Sequence, residues 1–296
     1  DLKDIAKMTG VSPSTVSRVI NGKSALNRIS KKTAEKILKV ATEVGYVPDQ
    51  TARSLRTKRS NTIGLVIPDI DNPFFSAIAK SIAVEAQAIN YSIIFSDSQE
   101  KQKLEIDAIQ VLISRNVDGL IVLPIGDTNK HLMNIVNNGV PIVLADRSFP
   151  AMNCPQVISD NYRGAVDAVT YLIEKGHQQI ACIQGNKTTS VNNERVQAYK
   201  DTLQTHNIPY NPQYLVGDKF STKNGYISMK LLMNTNPRPT AVFTLSNLTS
   251  LGAMQAILED NQRIPDDYSI ITFDNDQPYS NFLKTPLTTI AQQTEE

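Results

Sequence analysis

The chain reads as α/β: a small three-helix head precedes a two-lobed core of doubly wound parallel sheets. Three observations predict this. The first twenty-two residues carry the punctuation of a helix-turn-helix, apolar strands alternate with amphipathic helices in two successive runs from Asn61, and charge is divided unequally along the chain. The total of 30 Lys+Arg and 29 Asp+Glu conceals 13 basic and 5 acidic residues in positions 1–60, a net +8, against a net −7 in the remainder. Such asymmetry is either a solvated basic face or a sign of a segment that meets nucleic acid, whose affinity would then fall as salt rises.

In the head, Ile5 and Ala6 supply the apolar face of a first helix, and Ala6 is small where a second helix must approach. Gly10 stands at the turn, where a positive φ is easily adopted without a Cβ. Ser12 followed by Pro13 is a start signal, a hydroxyl cap and then a proline whose missing N–H costs nothing at the first helical position. Val16, Val19 and Ile20 recur at helical spacing and face inward, which leaves Ser14, Thr15, Ser17 and Arg18 on the outer side. The spacing predicts a third helix from Ser30 to about Val44, with Ala34, Ile37, Leu38, Ala41 and Val44 on one face and Gly45 as its stop. The stretch Tyr46–Ser60 is too polar and basic for a core, and on periodicity alone it reads as a solvated linker carrying Ala52 and Leu55.

From Asn61 the texture changes. Strands are predicted at Ile63–Ile67, Ser92–Phe95, Gly119–Leu123 and Pro141–Ala145, with helices at Phe74–Ala88, Leu104–Ser114 and Leu132–Asn138 between them. The pattern resumes with a helix at Tyr162–Lys175 and a strand at Ile180–Ile183. It continues with a helix at Arg195–His206, a strand at Ala241–Thr244, a helix at Leu248–Glu259 and a strand at Ser269–Phe273. Near-continuous apolar strands between helices imply parallel sheets covered on both faces, and ligands bind beyond the carboxyl ends of such strands.

Length and composition set limits. At 296 residues, 41% hydrophobic and 20% charged, the chain suits two or three soluble domains. No apolar run is long enough to span a membrane, and no signal-peptide pattern opens the chain. Cys154 and Cys182 have neither C-x-x-C nor zinc spacing, which fits reduced cysteines of a cytosolic protein without a metal site. The histidines His131, His177 and His206 are scattered, and no nucleophile motif accompanies them. Gly185-Asn-Lys-Thr188 lacks the earlier glycine of a phosphate-binding loop. No catalytic residue, cofactor or enzyme activity is therefore expected.

The motifs Leu2-Lys-Asp-Ile-Ala6, Gly10-Val-Ser12 and Ser14-Thr-Val-Ser-Arg-Val-Ile-Asn-Gly22 open the chain, followed by Gly45-Tyr-Val-Pro48 and Ala52-Arg-Ser-Leu-Arg56. Further on come Ile67-Pro-Asp-Ile-Asp-Asn-Pro-Phe-Phe75, Asp160-Asn-Tyr-Arg-Gly-Ala165, Gly176-His177 and Leu287-Thr-Thr-Ile290. In this order they make the whole chain resemble the lactose-repressor/galactose-repressor family of bacterial transcription regulators. The resemblance implies a DNA-binding head at 1–48, a hinge at 49–60 and a periplasmic-binding-protein-like effector and dimerisation core at 61–296. The lobe boundary is then expected near 156–160, with the chain crossing back near 280–287.

The resemblance also implies roles. Pro13, Ser14 and Arg18 fall at base-facing positions of the second helix, and Ser12, Thr15, Ser17 and Asn21 at backbone contacts. Leu55 matches a residue that wedges into the minor groove from a hinge helix, with Ala52 as its small neighbour, which gives the linker a second reading. The interlobe cleft is expected to hold a small-molecule effector against Phe74, Asp146, Asp160, Arg195, Phe220, Ser246 and Asp274. The implied protein is a cytoplasmic homodimeric repressor of a pseudo-palindromic double-stranded operator, controlled by a sugar or related metabolite. The rival reading is a transport-type sugar-binding protein, which would have no use for the basic head.

The sequence departs from the family pattern in three places. Ser246-Asn247 stands where many relatives carry Asn-Asp. The loop Gly22–Ile29 is longer than the common form and places Lys23 and Arg28 either on DNA or in solvent. The sequence ends short of a last strand and helix, so an incomplete C-terminus is expected.

Overall fold

The structure is a computed structural model that describes residues 1–46, 57, 59–275 and 286–294. It falls into two units, Asp1–Ser60 and Asn61–Glu296. In the first, α1 spans Leu2–Thr9, α2 spans Pro13–Ile20 and α3 spans Lys31–Glu43. Asp1 caps α1 by accepting from the N–H groups of Lys3 and Asp4, and Gly10 ends it at φ 75°. Ser12 accepts from the Thr15 N–H at 3.2 Å and Pro13 begins α2. Ile5, Ala6, Val16, Val19, Ile37 and Ala41 make the core of the head.

One correction concerns α3. Ile37 and Ala41 are buried, whereas Leu38 is 50% and Val44 44% exposed. Two 8-residue helices cover only a narrow stripe of α3, and Val44 is already its C-cap. Residues 47–56, including Ala52 and Leu55, lie outside the described residues.

In the second unit, β1 (Thr62–Ile67), β2 (Ser92–Asp97), β3 (Gly119–Val122), β4 (Ile142–Ala145) and β5 (Gln156–Val157) form a parallel sheet in the order β2-β1-β3-β4-β5. A second parallel sheet contains β6 (Ile180–Ile183), β7 (Leu215–Val216), β8 (Ala241–Thr244), β9 (Ser269–Phe273) and β10 (Thr288–Ile290), in the order β10-β9-β8-β6-β7. Counted within its own lobe, each sheet runs 2-1-3-4-5, so the lobes share one topology. The strand order reverses between β1 and β3 and again between β6 and β8, and ligand crevices open beyond the carboxyl ends at such points.

The helices are α4 (Pro73–Ala88), α5 (Gln102–Ser114), α6 (Lys130–Asn137), α7 (Asn161–Glu174), α8 (Ser190–Thr205), α9 (Thr222–Met233) and α10 (Asn247–Glu259). They cover both faces of each sheet. One cluster of the second lobe joins Ala168, Leu172, Tyr199 and Leu203 to Phe243 and Phe273, and another joins Met229, Leu232, Ala253 and Ile257 to Val242 and Ile270. Strands β6 and β8 are buried along their whole length, which is why they read as unbroken apolar runs. Helices α9 and α10 pack backbone to backbone: a Cβ on Gly252 would lie 1.9 Å from the Thr222 carbonyl oxygen, and one on Gly225 2.1 Å from that of Thr249.

Helix α8 begins at Ser190, five residues before the expected start. The Thr189 hydroxyl caps it by accepting from the Asn192 N–H at 3.3 Å, and the polar run Asn192-Asn193-Glu194 masks its first turn in the sequence. Helix α9 and the short strands β5, β7 and β10 were not expected as elements. β5 and β7 have two residues each, too few to display a period.

Candidate functional site

The outer side of α2 presents Ser12, Pro13, Ser14 and Arg18 as exposed residues, with Thr15, Ser17 and Asn21 half-buried beside them. Ser12 Oγ lies 2.8 Å from Ser14 Oγ and 2.9 Å from Thr15 Oγ1, and Asn21 Nδ2 donates to the Ser17 carbonyl at 2.6 Å. These bonds brace the helix ends, while Arg18 makes no ion pair among the described residues. A guanidinium on a supported helix is free to fork onto a guanine edge or a phosphate. Lys23 and Arg28 are exposed in the following loop, where Arg28 adopts φ 54°.

In the second unit, polar side chains collect beyond the carboxyl ends of both sheets. Asp146 follows β4 and Asp274 follows β9, which are the fourth strands of their lobes. Both are left-handed, at φ 63° and 71°, a conformation uncommon outside glycine but tolerated by Asp. Their side chains are buried. Burial raises Asp146 to about 6, against the opposing pull of Arg147 and Arg195. Burial also raises Asp274, which Arg195 and the hydrogen bond from Gln292 partly offset.

Arg195, on α8, is 2% exposed. Its Nε donates to Asn161 Oδ1 at 2.9 Å and its Nη1 to the Leu245 carbonyl at 2.6 Å, while the guanidinium lies 3.6 Å over the Phe273 ring. Burial disfavours its charge, and Asp274 and Asp146 oppose that effect. A buried cation is held by such pairing, hydrogen bonding and stacking together.

The other expected cleft residues divide. Phe220 is half-buried with its ring laid on Gly185 at the end of β6; a Cβ there would lie 2.2 Å from the ring, so only glycine permits the contact. Phe74 is 6% exposed and packs in the first lobe with Leu65, Ile67, Phe75 and Leu123, its ring centroid 5.2 Å from that of Phe75. Asp160 is exposed and caps α7, accepting from the Arg163 N–H at 2.9 Å, so it stands apart from the buried group. Ser246 is buried as the cap of α10, its hydroxyl accepting from the Thr249 N–H at 3.3 Å.

Other residues complete the site. Asn161 holds Arg195. Asn247 donates its N–H to Asp274 Oδ2 at 3.3 Å, and Gln292 Nε2 donates to Asp274 Oδ1 at 2.6 Å. Arg147 donates to both Glu100 carboxylate oxygens, at 2.7 and 3.2 Å, and to the Pro124 carbonyl at 3.3 Å. It thereby ties together the loops that follow β2, β3 and β4. Asn161 falls inside a motif already noted in the sequence, and Arg147 is the neighbour of Asp146; nothing in the spacing singles out Gln292. Among the described residues no three His, Cys, Asp or Glu side chains converge as metal ligands, and no helix is long and apolar enough to cross a membrane.

Residues 1–49 match the family described as bacterial regulatory proteins, lacI family, and residues 60–295 match periplasmic binding proteins and sugar binding domain of LacI family. The ribose operon repressor of Haemophilus influenzae is 34% identical over 291 residues, covering 98% of this chain and 86% of its own. The HTH-type transcriptional repressor CytR of Escherichia coli is 34% identical, covering 98% and 84%. The lac repressor dimer bound to operator and the anti-inducer ONPF superposes with a TM-score of 0.87 at 28% identity, covering 100% of this chain and 88% of that one. A helix-turn-helix head, two lobes of one topology and a buried polar group at the strand ends agree with these likenesses: the chain belongs to the LacI family, whose members are DNA-binding transcription regulators controlled by small-molecule effectors.

Proposed function

We propose that this chain is a homodimeric repressor whose effector is a neutral, polyhydroxylated molecule such as a sugar or nucleoside, bound between Asp146, Arg195, Asp274 and Phe220. The observation that carries this reading is the pair of buried strand-end carboxylates, one from each lobe, whose charges both act on buried Arg195. Carboxylates accept from ligand hydroxyls, the guanidinium donates to a hydroxyl or ring oxygen, and Phe220 offers an apolar face. Two buried carboxylates beside an already compensated arginine disfavour an additional anion. Among the relatives, a CelR structure is a cellobiose complex and the Haemophilus protein is a ribose operon repressor, which supports a neutral carbohydrate class. Phe74 and Ser246 line the cleft through their helix starts, and Asp160 serves as a cap.

In the same reading, residues 1–48 are the DNA-binding head, 49–60 the hinge carrying Ala52 and Leu55, and 61–296 the effector core. Pro13, Ser14 and Arg18 face bases, and Ser12, Thr15, Ser17 and Asn21 face the backbone. The protein works in the cytoplasm and catalyses no reaction. A thermal-shift screen of neutral pentoses, hexoses, disaccharides and nucleosides against their phosphates tests the effector class. A neutral hit that raises the apparent stability in proportion to its concentration is expected; stabilisation by the phosphates alone overturns it.

A further inference from the structure

Among the described residues, polar groups of the two lobes meet beside each of the strand-end aspartates. Near Asp146, the Ser148 N–H faces Ser190 Oγ at 3.4 Å. Near Asp274, Asn247 Nδ2 donates to Asn72 Oδ1 at 3.0 Å. The second contact is the more fully built. Asn72 is 5% and Asn247 1% exposed. Asn72 Oδ1 also accepts from the Phe74 N–H at 3.1 Å, as the cap of α4. That second bond decides the orientation of the amides: the oxygen of Asn72 faces the N–H groups, so Asn247 must present its nitrogen.

The contact also meets an electrostatic need. The N-termini of α4 and α10 approach each other from opposite lobes, and both carry partial positive charge. A carbonyl oxygen between them accepts from both sides. Loss of Asn72 removes that shared acceptor, and loss of Asn247 removes the one of its two bonds that crosses between the lobes.

We propose that the Asn72–Asn247 bridge is a latch that holds the lobes closed beside Asp274, so that these asparagines are positioning residues of the cleft. Asp274 is bonded through Gln292 to Ser159, whose hydroxyl donates to Gln292 Oε1 at 2.6 Å. Ser159 lies in the segment between β5 and α7, and Gln292 follows β10. A single chain of hydrogen bonds therefore runs from the latch, past Asp274, to the segments that follow β5 and β10. This consequence for effector control rests on the cleft reading given above. The latch itself requires no ligand and is tested without one.

The test uses the full chain with Cys154→Ser, labelled for single-molecule energy transfer at exposed Asp107 and Lys223 after their replacement by cysteine. Mixing with excess unlabelled subunits keeps one labelled protomer per dimer. Asn247→Ala removes the bridge, and Asn72→Ser removes it while keeping a hydroxyl cap for α4; circular dichroism melts verify folding. Each variant is expected to shift the closed-to-open ratio roughly fivefold towards open, the scale of one net hydrogen bond. The double variant is expected to shift it no further than either single one, since both break the same contact. Unchanged ratios in the single variants, or additive shifts in the double, overturn the proposal. Failure of the effector screen leaves this measurement untouched, so the two readings fail separately.

Discussion

Asp146 and Asp274 are counterparts: each ends the fourth strand of its lobe, each is left-handed, at φ 63° and 71°, and both act on the charge of the same buried arginine, Arg195. The duplicated topology brings one carboxylate to the cleft from each side. Their environments differ in a useful way. Asp274 accepts hydrogen bonds from Gln292 and Asn247, whereas Asp146 has Arg147 Nε at 3.7 Å, beyond hydrogen-bond reach. Asp146 therefore keeps more of its acceptor capacity free than Asp274 does.

Asp146 makes the core pH-sensitive. Its folded pKa of about 6 lies above the ordinary 3.8, so the folded state binds the proton more tightly. Its contribution to stability is then lost as pH rises from about 4 to about 6. Asp146→Asn should stabilise the core at pH 7 by up to about 3 kcal/mol and converge with the parent near pH 4, measured by urea unfolding. A constant difference across that range would assign the effect to packing.

Effector binding should respond in the opposite sense. A ligand hydroxyl that donates to Asp146 favours the ionised carboxylate, so affinity should rise between pH 5 and pH 7 and level off above. Isothermal titration with the neutral hit from the screen measures this. In Asp146→Asn the slope should disappear; a persistent slope points to another group.

Arg195→Ala should destabilise the core by about 3–5 kcal/mol, because Asp274 would stay buried without its cation and Asp146 would keep only Arg147. Chemical denaturation reads the loss directly. Arg195→Lys should recover only part of it, since an ammonium cannot both donate to Asn161 and Leu245 and lie flat on Phe273.

Gly252→Ala should destabilise by about 1–3 kcal/mol, the scale of overpacking, since its methyl group meets backbone that cannot rotate away. Gly139, at φ 73° with open space around it, supplies the contrast. Gly139→Ala carries only backbone strain and no clash. Equal losses at the two sites would refute the close-packing account of α9 and α10.

In the head, Arg18→Ala should weaken binding to an operator selected from a random DNA pool more than binding to unrelated DNA. The difference should be about 1–3 kcal/mol if Arg18 reads a guanine. Equal losses would make it a phosphate contact. Leu55→Ala should abolish operator bending in circular-permutation gel shifts, and an unchanged bend would return the segment to a plain linker.

Much of this was legible in the residues. Ser12-Pro13, Gly10 and the basic excess announce the head, because caps, turns and phosphate affinity depend on local chemistry and composition. The fully buried strands Ile180–Ile183 and Ala241–Thr244 announce a parallel sheet, because only two-sided burial makes them wholly apolar. Asp146 and Asp274 were legible as strand-end acids. Asp160, placed in the cleft by the resemblance, is a solvent-exposed cap. Proximity to a strand end does not reveal which way a carboxylate is turned.

The sequence by itself determined the helix-turn-helix, the two α/β lobes and the family, since these rest on local propensity and on ordered motifs. The tertiary structure alone decided what meets across the cleft. Asn72 and Asn247 are 175 positions apart, and Gln292 reaches back to Ser159 across 133. Side chains so distant in the chain become partners only when two sheets of like topology face each other, and no periodicity along the chain encodes that encounter.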